Sequence, residues 1–228
     1  MKIAVSWSGG MESCLTCHKL LEEGHEVSHL IAFVSDTWPL FCHPLHIMEL
    51  QSKAMGIPLI KIRVKEPFKE SYREAISHLI EKEGVEGIAT GDIYVYDAAL
   101  GRWMDDVCEG LNISVIMPLW GQDSLKVLNE EMSAGFKSIF TCLKQPIFTE
   151  EWLGRELNKD SVKDLKKLAK EMGMDPCGEK GEYHSMVVDG PIFKETINMT
   201  KFSKEKHGNR LYIKINEASL KQKNNPPK

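Results

Sequence analysis

The chain has 228 residues, of which 42% are hydrophobic and 27% charged, and its formal net charge at pH 7 is −4. This composition is that of a globular protein with a substantial core, and the small negative charge argues against broad binding to nucleic acids or membranes by bulk electrostatics. No apolar run approaches the roughly 18 residues of a membrane-spanning helix. The chain enters a predicted strand at once, so we expect no signal peptide, a cytoplasmic protein and six reduced cysteines.

The first predicted strand, residues 2–7, leads into the loop S-G-G-M-E-S at residues 8–13 and then into a helix. Two adjacent glycines permit a tight strand-to-helix turn and let main-chain N–H groups approach a ligand without an intervening Cβ. The start of the helix adds N–H donors and a positive dipole end, and Ser8 and Ser13 add hydroxyls. This stretch, the phosphate loop, predicts a cradle for an anion of pyrophosphate size, although G-x-x-x-x-G-K-[ST] and G-x-G-x-x-G are absent.

Strands and helices alternate up to residue 117. Apolar runs bounded by polar residues predict strands, and apolar residues three and four apart predict helices. The predicted strands are 27–35, 59–64, 85–90 and 113–117, and the helices after the first are 45–55, 67–83 and 97–110. Because the connections are too short for anything but crossovers, the pattern predicts an α/β fold with a doubly wound parallel five-stranded sheet ordered 3-2-1-4-5.

Gly91 and Asp92 follow the fourth predicted strand. Ligands of such sheets bind beyond the carboxyl ends of the strands where the order reverses, here between the first and fourth strands. We therefore expect Gly91 and Asp92 to face Gly9 and Gly10 across one crevice. The glycine allows close backbone approach and the carboxylate suits Mg²⁺, although a helix-entry turn would also explain this dipeptide.

The character of the sequence changes after residue 121. The pattern predicts a helix at 123–134, a strand at 136–143, a Lys-rich helix at 160–172, a strand at 186–188 and a polar hairpin at 197–215. We therefore expect two domains, residues 1–122 and a smaller α+β domain at 123–220. The segment 221–228 contains N-N-P-P and predicts disorder.

The acidic segment, D-P-C-G-E-K-G-E-Y-H-S at residues 175–185, is the second informative stretch. It places three carboxylates, a thiol and a histidine around two glycines. Such loops are candidates for function, although a solvated turn before an edge strand would also fit. We expect this segment to close the cleft that holds the phosphate loop.

The phosphate loop resembles the S-G-G-x-D-S loop of the PP-loop ATP pyrophosphatases, which cleave ATP between the α and β phosphates and activate a substrate as its adenylate. Glu12 stands where that superfamily usually has Asp, which changes the reach of the carboxylate by roughly 1.5 Å. The chain up to about residue 195 resembles the diphthine–ammonia ligase family, whose D-P-C-G-E-x-G-E-[FY]-H-T segment is matched by residues 175–184, with Ser185 in the Thr position. The supporting matches are Gly91-Asp92-Ile93, Pro118-Leu119-Trp120 and the segment 175–191.

The resemblance implies a Rossmann-like domain of the adenine nucleotide alpha hydrolase type and a smaller family-specific domain. It implies a ligase that adenylates the diphthine carboxylate on translation elongation factor 2 with ATP and amidates it with ammonium, releasing AMP and pyrophosphate. We expect adenine to lie against the backbone at residues 33–35. The full set expected to bind ATP is Ser8, Gly9, Gly10, Ser13, Phe33, Val34, Ser35 and Gly91.

Five ionisable residues form the expected catalytic set. Glu12 and Asp92 are the expected ligands of Mg²⁺, which would offset the charge of the departing pyrophosphate. General acid–base chemistry assigns Glu179, Glu182 and His184 to binding the cationic substrate tail or to deprotonating ammonium.

Cysteine motifs suggest other sites. C-x-x-C-H at residues 14–18 has the spacing of haem attachment, but it lies on an apolar helix stripe and predicts packing. Cys42, His43 and His46 could bind zinc, but no second ligand pair follows, so a structural or substrate-loop role is favoured. Some PP-loop enzymes insert sulfur into tRNA through paired cysteines, and no such pair is visible in the sequence among Cys108, Cys142 and Cys177.

Two other functions stay open at this point. One is a related adenylating enzyme acting on tRNA or in a cobalamin pathway, and the other is a non-catalytic ATP-binding module, which Glu12 in place of Asp would favour. The Lys-rich stretch at 163–170 predicts a solvated face, so we expect no stable nucleic-acid binding. The sequence leaves open whether the chain forms a homodimer.

Overall fold

The computed structural model describes residues 1–36, 42–94 and 102–223. By its contacts the described chain divides into two compact units. The first comprises residues 1–8, 12–36, 57–94 and 102–121, and the second comprises 9–11, 42–56 and 122–223. The sequence predicted one boundary near residue 122, and in the structure two short N-terminal segments also group with the second unit. Among the helices of the described residues, none combines the length and the apolar character that crossing a membrane requires.

The first unit is built on a five-stranded sheet in which every neighbouring pair is parallel. Its strands are β1 (Lys2–Ser6), β2 (Glu26–Val34), β3 (Leu59–Arg63), β4 (Gly87–Ala89) and β5 (Ser114–Ile116). The order β3-β2-β1-β4-β5 confirms the predicted topology and puts the reversal between β1 and β4. Ile3, Ala4 and Val5 of β1 are fully buried, as expected for a central strand that is covered on both faces.

The helices in this part of the chain are α1 (Met11–Glu22), α2 (Leu45–Met55), α3 (Phe68–Glu83) and α4 (Trp103–Cys108). The bounds of α2 agree with the prediction, and Gly56 ends it in the left-handed conformation. Residues 97–101 of the predicted helix 97–110 lie outside the described residues. In α1 the buried face includes Leu20, whereas its neighbour Leu21 is 38% exposed.

The core of the first unit joins the sheet to α3 and α4. Ile76 and Leu79 of α3 and Met104 and Val107 of α4 belong to one buried cluster. The sheet contributes Ala4, Ile31 and Ile88. Burial of each large apolar side chain stabilises the fold by about 1.5–3 kcal/mol, so this cluster fixes the strands whose carboxyl ends carry the candidate site.

The second unit contains an antiparallel sheet. Its strands are β6 (Lys137–Lys144), β7 (Glu156–Leu157), β8 (Tyr183–Asp189), β9 (Glu195–His207) and β10 (Arg210–Gln222), with helices α5 (Ser124–Ala134) and α6 (Lys159–Met172). Strand β6 pairs with β7, β8 and β10, and β10 pairs with β9 in the predicted hairpin. The two-residue β7 and a 3-10 helix at Glu150–Trp152 were not predicted, because elements this short carry no readable periodicity.

Strand β10 extends to Gln222, two residues into the segment for which the sequence predicted disorder. Gln222 Nε2 donates to Glu195 Oε1 at 2.9 Å, and Lys223 Nζ lies 2.6 Å from Asp189 Oδ1. These partners are distant in sequence and order residues 221–223 despite the polar local composition. Residues 224–228 lie outside the described residues.

Candidate functional site

The phosphate loop connects β1 to α1 in the strand–loop–helix arrangement that the sequence predicted. Pairing with β2 continues one residue beyond β1, since Trp7 N donates to Ile31 O at 2.8 Å. The Ser8 hydroxyl donates to the Ser13 hydroxyl at 3.3 Å, and Ser13 is buried. Both hydroxyls therefore lie at the start of α1, where helix N–H groups and the helix dipole favour an anion.

Gly9 is buried and has a φ of 75°, a left-handed conformation that favours glycine. Its carbonyl oxygen accepts two hydrogen bonds from other residues of the second unit. One comes from Val187 N on β8 at 3.1 Å and the other from Gln51 Nε2 on α2 at 2.9 Å. A Cβ at Gly9 would overlap Oε1 of Gln51. Gln51 was not predicted as a site residue, because a single glutamine in a helix gives no signal of a partner 42 residues away.

Gly91 packs directly against the phosphate-loop residue Glu12 in the first unit. A Cβ at Gly91 would lie 2.8 Å from the backbone carbonyl carbon of Glu12 and 2.9 Å from its Cβ, so a larger residue does not fit without movement. Asp92 is held by the hydroxyl of Thr90, which donates to Oδ2 at 2.6 Å. Gly91, the residue before Asp92, thus lies against Glu12 of the loop, and the predicted facing of Gly91 and Asp92 with Gly9 and Gly10 stays a prediction.

The carboxyl end of β2 meets an aromatic cluster. Phe33 stacks on Tyr72 of α3 with 4.2 Å between ring centroids, and Tyr72 makes an edge contact with Trp103 at 6.2 Å. Burial, followed by the negative charge of Asp92, raises the pKa of the Tyr72 hydroxyl above its usual value. Since the Phe33 ring packs on Tyr72, the backbone at the end of β2 is more suitable than this ring for contact with a nucleobase.

The acidic segment is held by hydrogen bonds among its own residues and by bonds from neighbouring elements. Cys177 N donates to Asp175 Oδ1 at 2.8 Å, and the Tyr183 hydroxyl donates to the Pro176 carbonyl at 2.7 Å. Ser124 of the helix α5 makes two further bonds, since its Oγ donates to Asp175 Oδ2 at 2.9 Å and its carbonyl accepts from Cys177 Sγ at 3.0 Å. Asp175 therefore organises the start of the segment, a role that sequence analysis did not assign to it.

Glu182 is 4% exposed, and its Oε1 accepts a hydrogen bond from Asp175 N at 3.0 Å. Its Oε2 is buried and has no hydrogen-bond partner among the described residues. Leaving a buried carboxylate oxygen without a donor is costly. Glu179, three residues earlier, is half-buried.

His184 lies on β8 opposite Cys142 of β6, and its Nδ1 is 3.1 Å from Nε2 of His43. Burial, and then the charges of His43 and Arg210, lower the pKa of His184 to about 3. The imidazole is therefore neutral at physiological pH and a weak base. The two roles predicted for His184 stay predictions.

The C-H-P-L-H stretch meets partners that the sequence did not reveal. Cys42 Sγ lies 3.1 Å from Cys142 Sγ, and both cysteines are buried, whereas His46 is exposed on α2. The hydrogen bond from Cys42 and the charge of Arg210 lower the pKa of Cys142, although burial opposes them. The described part of the chain holds no group of three or more His, Cys, Asp or Glu residues that could bind a metal ion. The pair was missed because its members are 100 residues apart.

Two family models match consecutive parts of the chain. Residues 1–115 match the diphthamide synthase N-terminal domain, and residues 123–221 match the diphthamide synthase C-terminal domain. The first model alone covers half of the chain, and the gap between the two contains the change of sequence character at residue 121.

Known proteins similar to this chain cover most of its length. The chain is 27% identical over 222 residues to the diphthine–ammonia ligase of Mus musculus. This alignment covers 86% of this chain and 82% of that protein. With the diphthine–ammonia ligase of Schizosaccharomyces pombe it is 27% identical over an alignment of 248 residues, covering 98% of this chain and 40% of that protein. A solved structure described as a predicted subunit of tRNA methyltransferase from Methanocaldococcus jannaschii is 17% identical, with a TM-score of 0.49, and covers 83% of this chain and 97% of that one.

Proposed function

The chain belongs to the diphthamide synthase family, and from this we propose that it adenylates the diphthine carboxylate on translation elongation factor 2 with ATP and amidates it with ammonia. The observation that carries the proposal is that both domains match, not the nucleotide-binding part alone. A phosphate loop would fit many adenylating enzymes. The match over residues 123–221 to the diphthamide synthase C-terminal domain separates this reaction from those on tRNA or corrinoids.

The chemistry explains why ATP is required. A free carboxylate is a poor acyl donor because its leaving group would be oxide. A carboxylate oxygen attacks the α-phosphorus of ATP, the bond to the bridging oxygen breaks, and pyrophosphate leaves. Ammonia then attacks the acyl carbon, AMP leaves with the electron pair of the C–O bond, and the nitrogen loses a proton. In both steps the protein contributes positioning and electrostatic stabilisation.

We assign the polyphosphate of ATP to the phosphate loop and the base to the end of β2. The support for this assignment is the Ser8–Ser13 pair at the start of α1 and the left-handed Gly9, a conformation that favours glycine in the turn. Gly91 lies against Glu12, so the segment after β4 reaches the loop. The full set proposed to bind ATP is Ser8, Gly9, Gly10, Ser13, Phe33, Val34, Ser35 and Gly91.

Glu12 and Asp92 fit Mg²⁺ in chemistry. Both offer carboxylate oxygens, the donors that this ion prefers. Asp92 directly follows Gly91, which packs against the backbone of Glu12. Magnesium in nucleotide enzymes typically takes one or two carboxylates and completes its shell with phosphate oxygens and water, so a cluster of three protein ligands is not needed. Bound there, the ion would supply positive charge that offsets the charge on the departing pyrophosphate.

The acidic segment receives the substrate in this proposal. Glu179 and Glu182 attract the cationic tail of diphthine, and Glu182 Oε2 accepts a hydrogen bond from the bound substrate or its water. His184, neutral at physiological pH, lines the position without carrying charge. The substrates are then the diphthine form of elongation factor 2 and ammonium, which places the activity in the cytoplasm.

Amidation with labelled ammonium tests the proposal. The purified protein is incubated with diphthine-bearing elongation factor 2, ATP, Mg²⁺ and ¹⁵N-ammonium, and the modified histidine peptide is analysed by mass spectrometry. We expect one ¹⁵N per modified residue, formed only when ATP is present. An unchanged peptide under conditions where a diphthine–ammonia ligase from Mus musculus amidates it would contradict the proposal.

A further inference from the structure

Gln51 joins three backbone segments of the second unit: the phosphate loop at Gly9, β8 at Val187, and its own helix α2. Its side chain is fully buried. Its Nε2 donates to Gly9 O and to Val187 O, each at 2.9 Å. A primary amide has two N–H donors, and both are used here. We call the arrangement of Gly9, Gln51 and Val187 the amide clamp.

Val187 completes the amide clamp. Its N–H donates to Gly9 O at 3.1 Å, while its carbonyl accepts from Gln51. In an antiparallel ladder, successive residues direct their backbone groups alternately toward and away from the partner strand. Val187 lies opposite Ser138 of β6 and directs its groups away from it, toward Gly9 and Gln51. Gly9 and Gln51 therefore supply the hydrogen bonds at this edge of β8 that a neighbouring strand would otherwise supply.

The amide clamp fixes the orientation of one peptide group in the phosphate loop. Because the peptide bond is planar and trans, the direction of the Gly9 carbonyl sets the direction of the Gly10 N–H, which points to the opposite side. The conformation of Gly9 is restricted further by its φ of 75° and by Gln51 Oε1, which lies close to the place where a Cβ would stand. The orientation of that N–H is thus set by the protein before a ligand binds, which lowers the entropy cost of binding.

We propose that Gln51 is a positioning residue for nucleotide binding, which holds the phosphate loop through the Gly9 carbonyl in the conformation that receives the polyphosphate of ATP. This inference rests on the proposed function, since it takes the loop as the ATP site. Gln51 does not touch the reacting atoms. Its effect passes through Gly9, and through Val187 it ties the loop to the strand that carries His184.

Two variants of similar size test the amide clamp. Gln51→Met removes both donors and keeps an apolar side chain of similar length. Gln51→Glu removes the N–H donors as well, but its carboxyl regains one O–H donor when it is protonated. We expect both variants to bind ATP with Mg²⁺ about tenfold to a hundredfold more weakly at about pH 8 by calorimetry, since two buried carbonyls lose a partner.

The pH dependence separates positioning from a merely structural role. Lowering the pH from about 8 to about 6 should restore part of the ATP affinity of Gln51→Glu relative to the wild type, because protonation returns one donor. Gln51→Met should show no such recovery. Ile47→Ala is the matched control, since Ile47 is a buried residue of α2 outside the clamp, and it should lower Tm while leaving ATP affinity within about twofold.

Each outcome decides the proposal. Wild-type ATP affinity in folded Gln51→Met and Gln51→Glu would overturn the amide clamp and leave the proposed function standing. An equal loss in Ile47→Ala would also overturn it, because general destabilisation would then explain the effect. A wild-type protein that binds no ATP would contradict the proposed function itself, and the clamp with it. If Gln51→Met does not fold, the isosteric Gln51→Glu and its pH recovery carry the test.

Discussion

The phosphate loop and the acidic segment are both short glycine-containing stretches, but their hydrogen bonds are arranged differently. The acidic segment combines internal bonds, from Asp175 N to Glu182 and from Cys177 N to Asp175, with bonds from β6 and β10. The phosphate loop depends on partners far along the chain, Gln51 and Val187, which hold the carbonyl of Gly9. A segment with several internal hydrogen bonds keeps its shape when one outside contact is lost. A loop held from outside does not, and variants can test this difference.

Substitution of Gly9 should have the largest effect. A methyl group there would overlap Gln51 Oε1, and alanine disfavours a φ of 75° by about 1–2 kcal/mol. We expect Gly9→Ala to weaken ATP binding by about a hundredfold or more, measured by calorimetry on protein whose fold is checked by circular dichroism. Gly24→Ala is the matched control, because Gly24 has a φ of 79° but no atom within 4 Å of its Cβ position. Equal affinities in the two variants would mean that Gln51 does not constrain the loop.

The helix that supports the acidic segment should respond to pH. Glu131 of α5 is 1% exposed and accepts a hydrogen bond from Ser138 of β6, and burial raises its pKa to about 7. Because this lies above the unfolded value of 4.5, the fold loses stability as the pH rises from about 4.5 to 7. Glu131→Gln should therefore be more stable than the wild type at about pH 8, by up to about 3 kcal/mol, and no more stable at about pH 4.5. Urea titrations at both pH values would show a constant difference if burial of the charge were unimportant.

Removing an internal bond of the acidic segment should separate its role from that of the loop. Glu182→Ala leaves the partly buried Asp175 N–H without its acceptor and should lower the free energy of unfolding by about 1–3 kcal/mol. We expect turnover to be lost and ATP affinity to stay at the wild-type value. Glu182→Gln keeps an acceptor and should retain stability, so its turnover reports the need for the charge. Weakened ATP binding in Glu182→Ala would break the proposed separation of roles.

An outside contact of the acidic segment should matter least. Ser124→Ala removes the hydroxyl that donates to Asp175 Oδ2, while the Ser124 carbonyl still accepts from Cys177 Sγ at 3.0 Å. The expected loss of unfolding free energy is about 0.5–1.5 kcal/mol, and turnover should stay within about twofold of the wild type. Loss of turnover as complete as in Glu182→Ala would mean that this segment, too, is held from outside.

The same contrast explains what the sequence could predict. The sheet order and the bounds of α2 follow from apolar runs, crossovers and a terminating glycine, all of which are local signals. Gly91 was placed near the loop by the general rule for strand-order reversal, and the structure puts it against Glu12. The composition of the acidic segment marked it as a candidate, because carboxylates, a thiol and a histidine beside two glycines are visible in the sequence itself.

Long-range partners escaped prediction. Gln51 bonds to Val187 across 136 residues, and His43 meets His184 across 141. No period or spacing in the sequence relates such positions, since each pair depends on how helices and strands pack. For the same reason the sequence could not show that residues 9–11 and 42–56 group with the second unit.

Adenylation of the substrate carboxylate transfers one of its oxygen atoms to AMP, and this transfer can be followed with an isotope. Elongation factor 2 with ¹⁸O in the diphthine carboxylate is amidated in one turnover with ATP and ammonium, and the nucleotide products are analysed by mass spectrometry. If the carboxylate attacks the α-phosphorus, the AMP carries one ¹⁸O and the pyrophosphate none. Recovery of ADP together with ¹⁸O in inorganic phosphate would contradict the account, because it would mean that the acyl group is activated as a phosphate.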